Sequence, residues 1–256
     1  MFFKILWIVL SCPARMSGMR LCILENDYVD KSVADTYISY GVMVERMLNN
    51  VGAYWNIEIF ETFKGHFPES YDRFNAVLLT GSRSDAFSTD PWIEQLRNQV
   101  VHLLSIQMKL IGICFGHQLI ALCLGSHVGR ALKGWGLGLM DYQWHSDNDG
   151  LSVNQAQKEL SLIASHQDQV FDLPKGATLL ASSAFCPIAA FSVRDRVFCI
   201  QAHPEFVTEY SVYLLDKRRT SLSEEHYTLS RTSLQNPHDG LHVARMMVAF
   251  VEGSFG

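Results

Sequence analysis

The chain has 256 residues, enough for one large domain or two small ones, and 48% hydrophobic content with 11% aromatic residues suits a buried core. Twenty-one basic residues against 26 acidic ones leave a net charge of −5 with no basic stripe, which argues against a nucleic-acid partner held through phosphates. Six cysteines, at 12, 22, 114, 123, 186 and 199, form no CxxC pair, and three of them lie inside apolar runs. They read as buried thiols of a reducing, cytoplasmic compartment rather than as a disulfide framework.

The segment "MFFKILWIVLSCPARMSG" (1–18) has one lysine and a short apolar run at 5–10. It has the look of a short signal peptide or of an upstream extension; we read it as an extension outside the fold, with the domain at 19–256. The run is far below the ~20 residues of a membrane span, so no membrane association is expected.

Strand-length apolar runs then alternate with helical patterns. "LCIL" (21–24) reads as a strand, and 32–50 carries apolar residues at helical spacing. "WNIEIFE" (55–61) alternates, and "NAVLLTG" (75–81) is a continuous apolar run ending in glycine, as a strand buried on both faces reads. Pro91 opens a helix to about residue 105, "KLIGIC" is the next buried strand and 115–124 the next helix. This alternation predicts a parallel sheet covered on both faces. Beyond 126 the texture changes to short strands in "HVGRALKGWGLGL", "LSVNQ", "TLLASS", "IAAFSV" and "RVFCIQAH", an antiparallel extension at the sheet edge. Helices follow at 206–219 and 240–251, with 220–239 expected to be a loop or insert.

The chemistry concentrates at two places. In "GICFG" (112–116), glycines flank Cys114 at the strand-to-helix turn. A sharp turn crowds the residues beside its apex, and glycine relieves that crowding, as in the G-x-S-x-G nucleophile elbow. The helix N-terminus that follows favours a thiolate. A thiol needs a base, and "VFCIQAHPEF" ends a buried strand on His203, with Pro204 stopping sheet pairing and Glu205 placed to turn back onto the imidazole. No HExxH, no paired Cys/His spacing and no G-x-x-x-x-G-K-[ST] loop occurs, so neither a metal nor another cofactor is expected.

"GICFGHQ" (112–118) together with the late "HPE" (203–205) resembles the class I glutamine amidotransferases, over nearly the whole chain from residue 19 to 251. The resemblance implies an α/β fold, a flavodoxin-like three-layer sandwich with a mostly parallel central sheet and an antiparallel edge extension. It implies Cys114 as nucleophile, His203 as general base and acid, and Glu205 as its orienter. It places an oxyanion hole at the backbone N–H groups of Gly81 or Ser82 and of Phe115, although "TGSRSDAF" departs from the common G-G-P pattern. It makes Gln118 a substrate-holding residue, and "SHQDQV" puts Ser165, His166 and Asp168 beside the glutamyl group. The implied reaction is hydrolysis of a γ-glutamyl amide, glutamine to glutamate and ammonia, and a possible partner is a synthetase subunit in trans. The alternative is a stand-alone γ-glutamyl peptidase, because "TGSRSDAF", "GRALKGW" and the lack of a synthetase segment resemble a branch that includes GMP synthase amidotransferase-domain proteins and plant γ-glutamyl peptidases.

Overall fold

The computed structural model describes residues 18–145 and 158–253. The "LSVNQ" strand, the 1–18 extension up to residue 17 and Cys12 lie outside the described residues.

The first half is a parallel unit. Strands β1 (Arg20–Glu25), β2 (Asn56–Glu61), β3 (Ala76–Leu79) and β4 (Lys109–Ile113) run parallel in the order β2-β1-β3-β4. Their apolar side chains alternate between the two faces, as the two-residue strand period requires. On β1, Leu21 and Ile23 pack into one core, and Cys22 and Leu24 into the other. The first core is covered by α2 (Tyr40–Asn50) and by the last helix, α7 (Gly240–Glu252). The second is covered by α3 (Pro91–Ser105) and α4 (Phe115–Cys123). This is the parallel sheet covered on both faces that the alternating pattern predicts, and the three-layer sandwich that the resemblance implies.

The helix expected over 32–50 is two pieces. A single turn, α1 (Ala34–Tyr37), ends at Ile38 with φ +62°, and Ser39 caps α2 by accepting from the Val42 N–H. A β-branched residue in left-handed backbone breaks the helix there.

The second half adds β5 (Val128–Arg130), β6 (Gly136–Trp144), β7 (Glu159–His166), β8 (Asp168–Val170), β9 (Thr178–Ser182), β10 (Ala190–Val193) and β11 (Val197–Ile200). β11 joins β4 in parallel, and β10, β9, β6 and β7 continue the same sheet antiparallel to their neighbours. β5 and β8 pair separately in a two-stranded sheet beside it. The antiparallel extension is therefore as expected, with β7 an additional strand in it. α5 (Thr208–Lys217) is followed, within the stretch expected to be a loop, by α6 (Glu224–Ser233), which lies against β6. Ser223 caps α6 and Glu224 and Glu225 fill its first turn, so its ends are specified even though its body is polar.

Candidate active site

Three strand ends converge on Cys114. β4 stops at Ile113, and Cys114 takes φ +52° and ψ −100° before α4 begins at Phe115. Left-handed backbone is costly for a residue with a side chain, and such strain persists where the surroundings over-determine it. Here the Cys114 N–H donates to the Ile200 carbonyl at 2.9 Å, and the Gln118 N–H donates to the Cys114 carbonyl at 3.0 Å. A Cβ on Gly116 would collide with the Leu79 backbone, and one on Gly112 would lie 2.7 Å from Gly116 itself. The flanking glycines are thus required by close approach of backbone to backbone.

β11 leads into Gln201, Ala202 and His203. The His203 N–H leaves the strand ladder and donates to the Ile163 carbonyl of β7 at 2.8 Å. Its Nδ1 lies 2.8 Å from Glu205 Oε1, with both side chains buried, and its ring stacks on Phe206 at 4.0 Å and 9°. Gly81, two residues past β3, gives the imidazole room: a Cβ there would sit 2.8 Å from His203 Cε1 and 3.7 Å from Cys114 Cβ. Burial opposes a charge on His203. The Glu205 carboxylate first, and the neighbouring Cys114 sulfur second, outweigh it and lift the imidazole to about 10. A thiol, an imidazole and a carboxylate in this order can pass a proton from sulfur to nitrogen and hold the resulting ion pair.

Cys114 opens into a cavity also lined by Ser82, Gln118, Ser165, His166 and Asp168, so the structure gathers every sequence-expected wall residue around one thiol. The Phe115 side chain stacks on Trp92 in the core at 5.8 Å, and its backbone N–H lies in the first turn of α4, where N–H groups have no partner within the helix. Gln118 differs from the expectation in one respect. Its amide nitrogen donates inward, to the Asp168 carbonyl at 3.0 Å and to Gln201 Oε1 at 3.1 Å, so it ties α4 to β8. Gln201 in turn donates to Cys114 Sγ at 3.5 Å. His166 is buried and driven down to about 4, chiefly by burial, with His203 adding to the effect.

Sequence reasoning missed Asp85, Arg130, Trp135 and Arg218. Asp168 is raised to about 6 by burial first and by the nearby Asp85 second, with Arg130 opposing. Arg130 grips both carboxylates, at 3.0 Å and 3.2 Å. Arg218, just past α5, lies over the Trp135 ring at 4.6 Å, and burial holds its guanidinium below the usual value. No carboxylate pairs with Arg218 among the described residues. "DKRRTS" reads as a solvated charge run, which hides an inward-facing arginine. Arg83 and Arg218 also line a neighbouring recess walled by Tyr28, Tyr40, Tyr210 and Tyr213, so the two spaces adjoin.

The family model of class-I glutamine amidotransferases matches residues 32–215. The chain belongs to that family. It is 36% identical over 203 residues to γ-glutamyl peptidase 3 of Arabidopsis thaliana, covering 77% of this chain and 79% of that protein. It is 32% identical over 149 residues to a glutamine-hydrolyzing GMP synthase subunit of Methanocaldococcus jannaschii, covering 57% and 73%. A glutamine amidotransferase structure from Thermotoga maritima superposes with a TM-score of 0.73 at 20% identity, over 92% of this chain and 99% of the other, which shows the shared fold. Among the described residues no helix is long and apolar enough to cross a membrane, and no group of three metal-ligating side chains occurs.

Proposed function

We propose that this amidotransferase-family chain is a cytoplasmic γ-glutamyl hydrolase working through a cysteine thioester, and that its substrate is a γ-glutamyl peptide or amine rather than free glutamine. The observation that carries the chemistry is the buried Cys114, His203 and Glu205 line at a strained elbow. The Cys114 thiolate adds to the δ-carbonyl of the γ-glutamyl group. The oxyanion is received by backbone N–H groups of Phe115 and of Gly81 or Ser82, at the open end of α4. His203, carrying the thiol proton, gives it to the departing amine as the C–N bond breaks, leaving the thioester. It then takes a proton from water, which attacks the thioester and frees glutamate and the thiol. Glu205 keeps the ring in place and balances its charge.

The Asp85–Asp168 pair suits the substrate α-ammonium, with Ser165 and His166 completing that wall and Gln118 bracing it. The adjoining arginine- and tyrosine-lined recess favours a peptide over ammonia as leaving group. It offers room beyond the scissile bond, and Arg218, with no carboxylate partner among the described residues, offers a guanidinium for a peptide carboxylate. The relationship to γ-glutamyl peptidases points the same way.

A second reading, ammonia production for a synthetase in trans, draws on the relatives that are GMP synthase subunits. Glutamate release by the purified protein separates the two. Fast release from glutathione or a γ-glutamyl anilide with little from glutamine is the expected result. Slow release from glutamine alone would transfer the assignment to the synthetase-coupled reading.

A further inference from the structure

The Cys114 sulfur has a second polar neighbour besides His203. Gln201, two residues before that histidine, is wholly buried, and its main-chain N–H is fixed on the Ala189 carbonyl at 2.7 Å. The direction of its side-chain amide follows from what surrounds it. The Asp168 main-chain carbonyl can only accept, so the Gln118 atom 3.0 Å from it is the amide nitrogen. The same nitrogen lies 3.1 Å from the Gln201 side chain, which must therefore present its oxygen there. The Gln201 NH2 group is left facing Cys114 Sγ at 3.5 Å. Turning that amide over would forfeit both hydrogen bonds in a buried site.

We propose that Gln201 is a further catalytic residue, a neutral donor that stabilises the Cys114 thiolate, and that Gln118 is the positioning residue that keeps this donor aimed. Cys114 is buried, so a negative sulfur there needs compensation from fixed dipoles. A hydrogen bond to the charged form is the stronger one and favours thiolate over thiol. Gln201 makes and breaks no covalent bond, and it remains a donor at every pH. His203 with Glu205 behind it, Arg218 in the cavity wall, and Tyr142 and Cys186 in the core also act on the sulfur or on its base, and all of them stay in place when an amide is replaced. The part Gln201 plays in catalysis rests on the proposed cysteine hydrolysis, whereas the donor itself is measured without turnover.

The rate of Cys114 alkylation by iodoacetamide, followed by peptide mass mapping across about pH 4–10, tests the donor. Gln201→Met keeps the side-chain length and removes the NH2 group. Its rate profile should move to higher pH by about one pH unit, since a hydrogen bond to a charged group contributes about that much. A more basic thiolate is also the better nucleophile, so the limiting rate at high pH should rise by about threefold. The two profiles should therefore cross, the variant slower below the midpoint and faster above it. Gln118→Met should move the profile in the same direction by less. In the wild type, which needs no variant to fold, the Gln201 side-chain amide signals in nitrogen-15 NMR should shift with the same midpoint as alkylation. A Gln201→Met profile that superposes on the wild type, or one lowered equally at every pH, would overturn the proposal. So would Gln201 amide signals that ignore the ionisation of Cys114. Glutamate release plays no part in the test, so failure of the donor and failure of the hydrolase reading are told apart.

Discussion

Gly81→Ala adds a single methyl group at the narrowest point of the site. On the present backbone that carbon would lie 2.8 Å from His203 Cε1. Carbon atoms meet without repulsion at about 3.5 Å, so the imidazole must retreat by roughly 0.7 Å or the β3 loop must give way. The ring has little room to retreat. Phe206 is stacked on it at 4.0 Å, Glu205 holds Nδ1 at 2.8 Å, and the His203 N–H is bound to Ile163. Displacing a reacting group by about 1 Å can cost ~10²-fold in rate, and overpacking costs about 1–3 kcal/mol in stability. We therefore expect kcat/KM for a γ-glutamyl anilide to fall by about 10- to 100-fold, with a modest drop in thermal stability, in steady-state kinetics and calorimetry run side by side. Gly18→Ala is the matched control, because a Cβ there meets nothing within 4 Å. A folded Gly81→Ala enzyme with wild-type kcat/KM would refute the reasoning that Gly81 sets the position of the imidazole.

Three further outcomes follow from the same geometry. Burial pushes the thiols of Cys123 and Cys186 up to about 11 and about 12, whereas Cys114 opens onto the cavity, so brief iodoacetamide treatment at neutral pH should modify Cys114 before the other cysteines of the described residues by peptide mass mapping, and Cys123→Ala should cost packing alone. Asp168 is raised to about 6, so the pair proposed to receive the substrate ammonium should lose charge as pH falls through 6; KM should rise there, and Asp85→Asn should move that limb to lower pH by removing the like charge. His203 is raised from 6.5 to about 10, so its contribution to stability is fully present below 6.5 and is lost as pH rises through about 10; denaturant melts across that window should show the loss in the wild type, and Glu205→Gln should flatten it.

The parallel core was legible because β1, β3 and β4 are unbroken apolar runs with both faces buried, a pattern with little competition. The elbow and the His203–Pro204–Glu205 turn were legible because glycine and proline mark backbone that regular structure cannot supply. What escaped the sequence depends on tertiary partners. α6 buries only Ser230 fully within a polar segment, so its apolar period is faint, and its caps were the one local clue. β7 does alternate, with Leu160 and Leu162 inward, but its end carries "SH", which draws attention as a site rather than as a strand. Arg218 and Arg130 look solvent-directed in any local window. Only the folding of α5 beside Trp135, and of β5 against β8, turns them toward the thiol.

The proposed hydrolysis runs through a γ-glutamyl thioester on Cys114. The most direct measurement is intact-protein mass spectrometry of acid-quenched enzyme taken during turnover of a γ-glutamyl anilide, followed by peptide mapping. A transient increase equal to one glutamyl acyl group is expected, located on the peptide carrying Cys114 and absent from Cys114→Ala, which should also release no glutamate. Undiminished glutamate release by Cys114→Ala, or an acyl group carried on another residue, would contradict it.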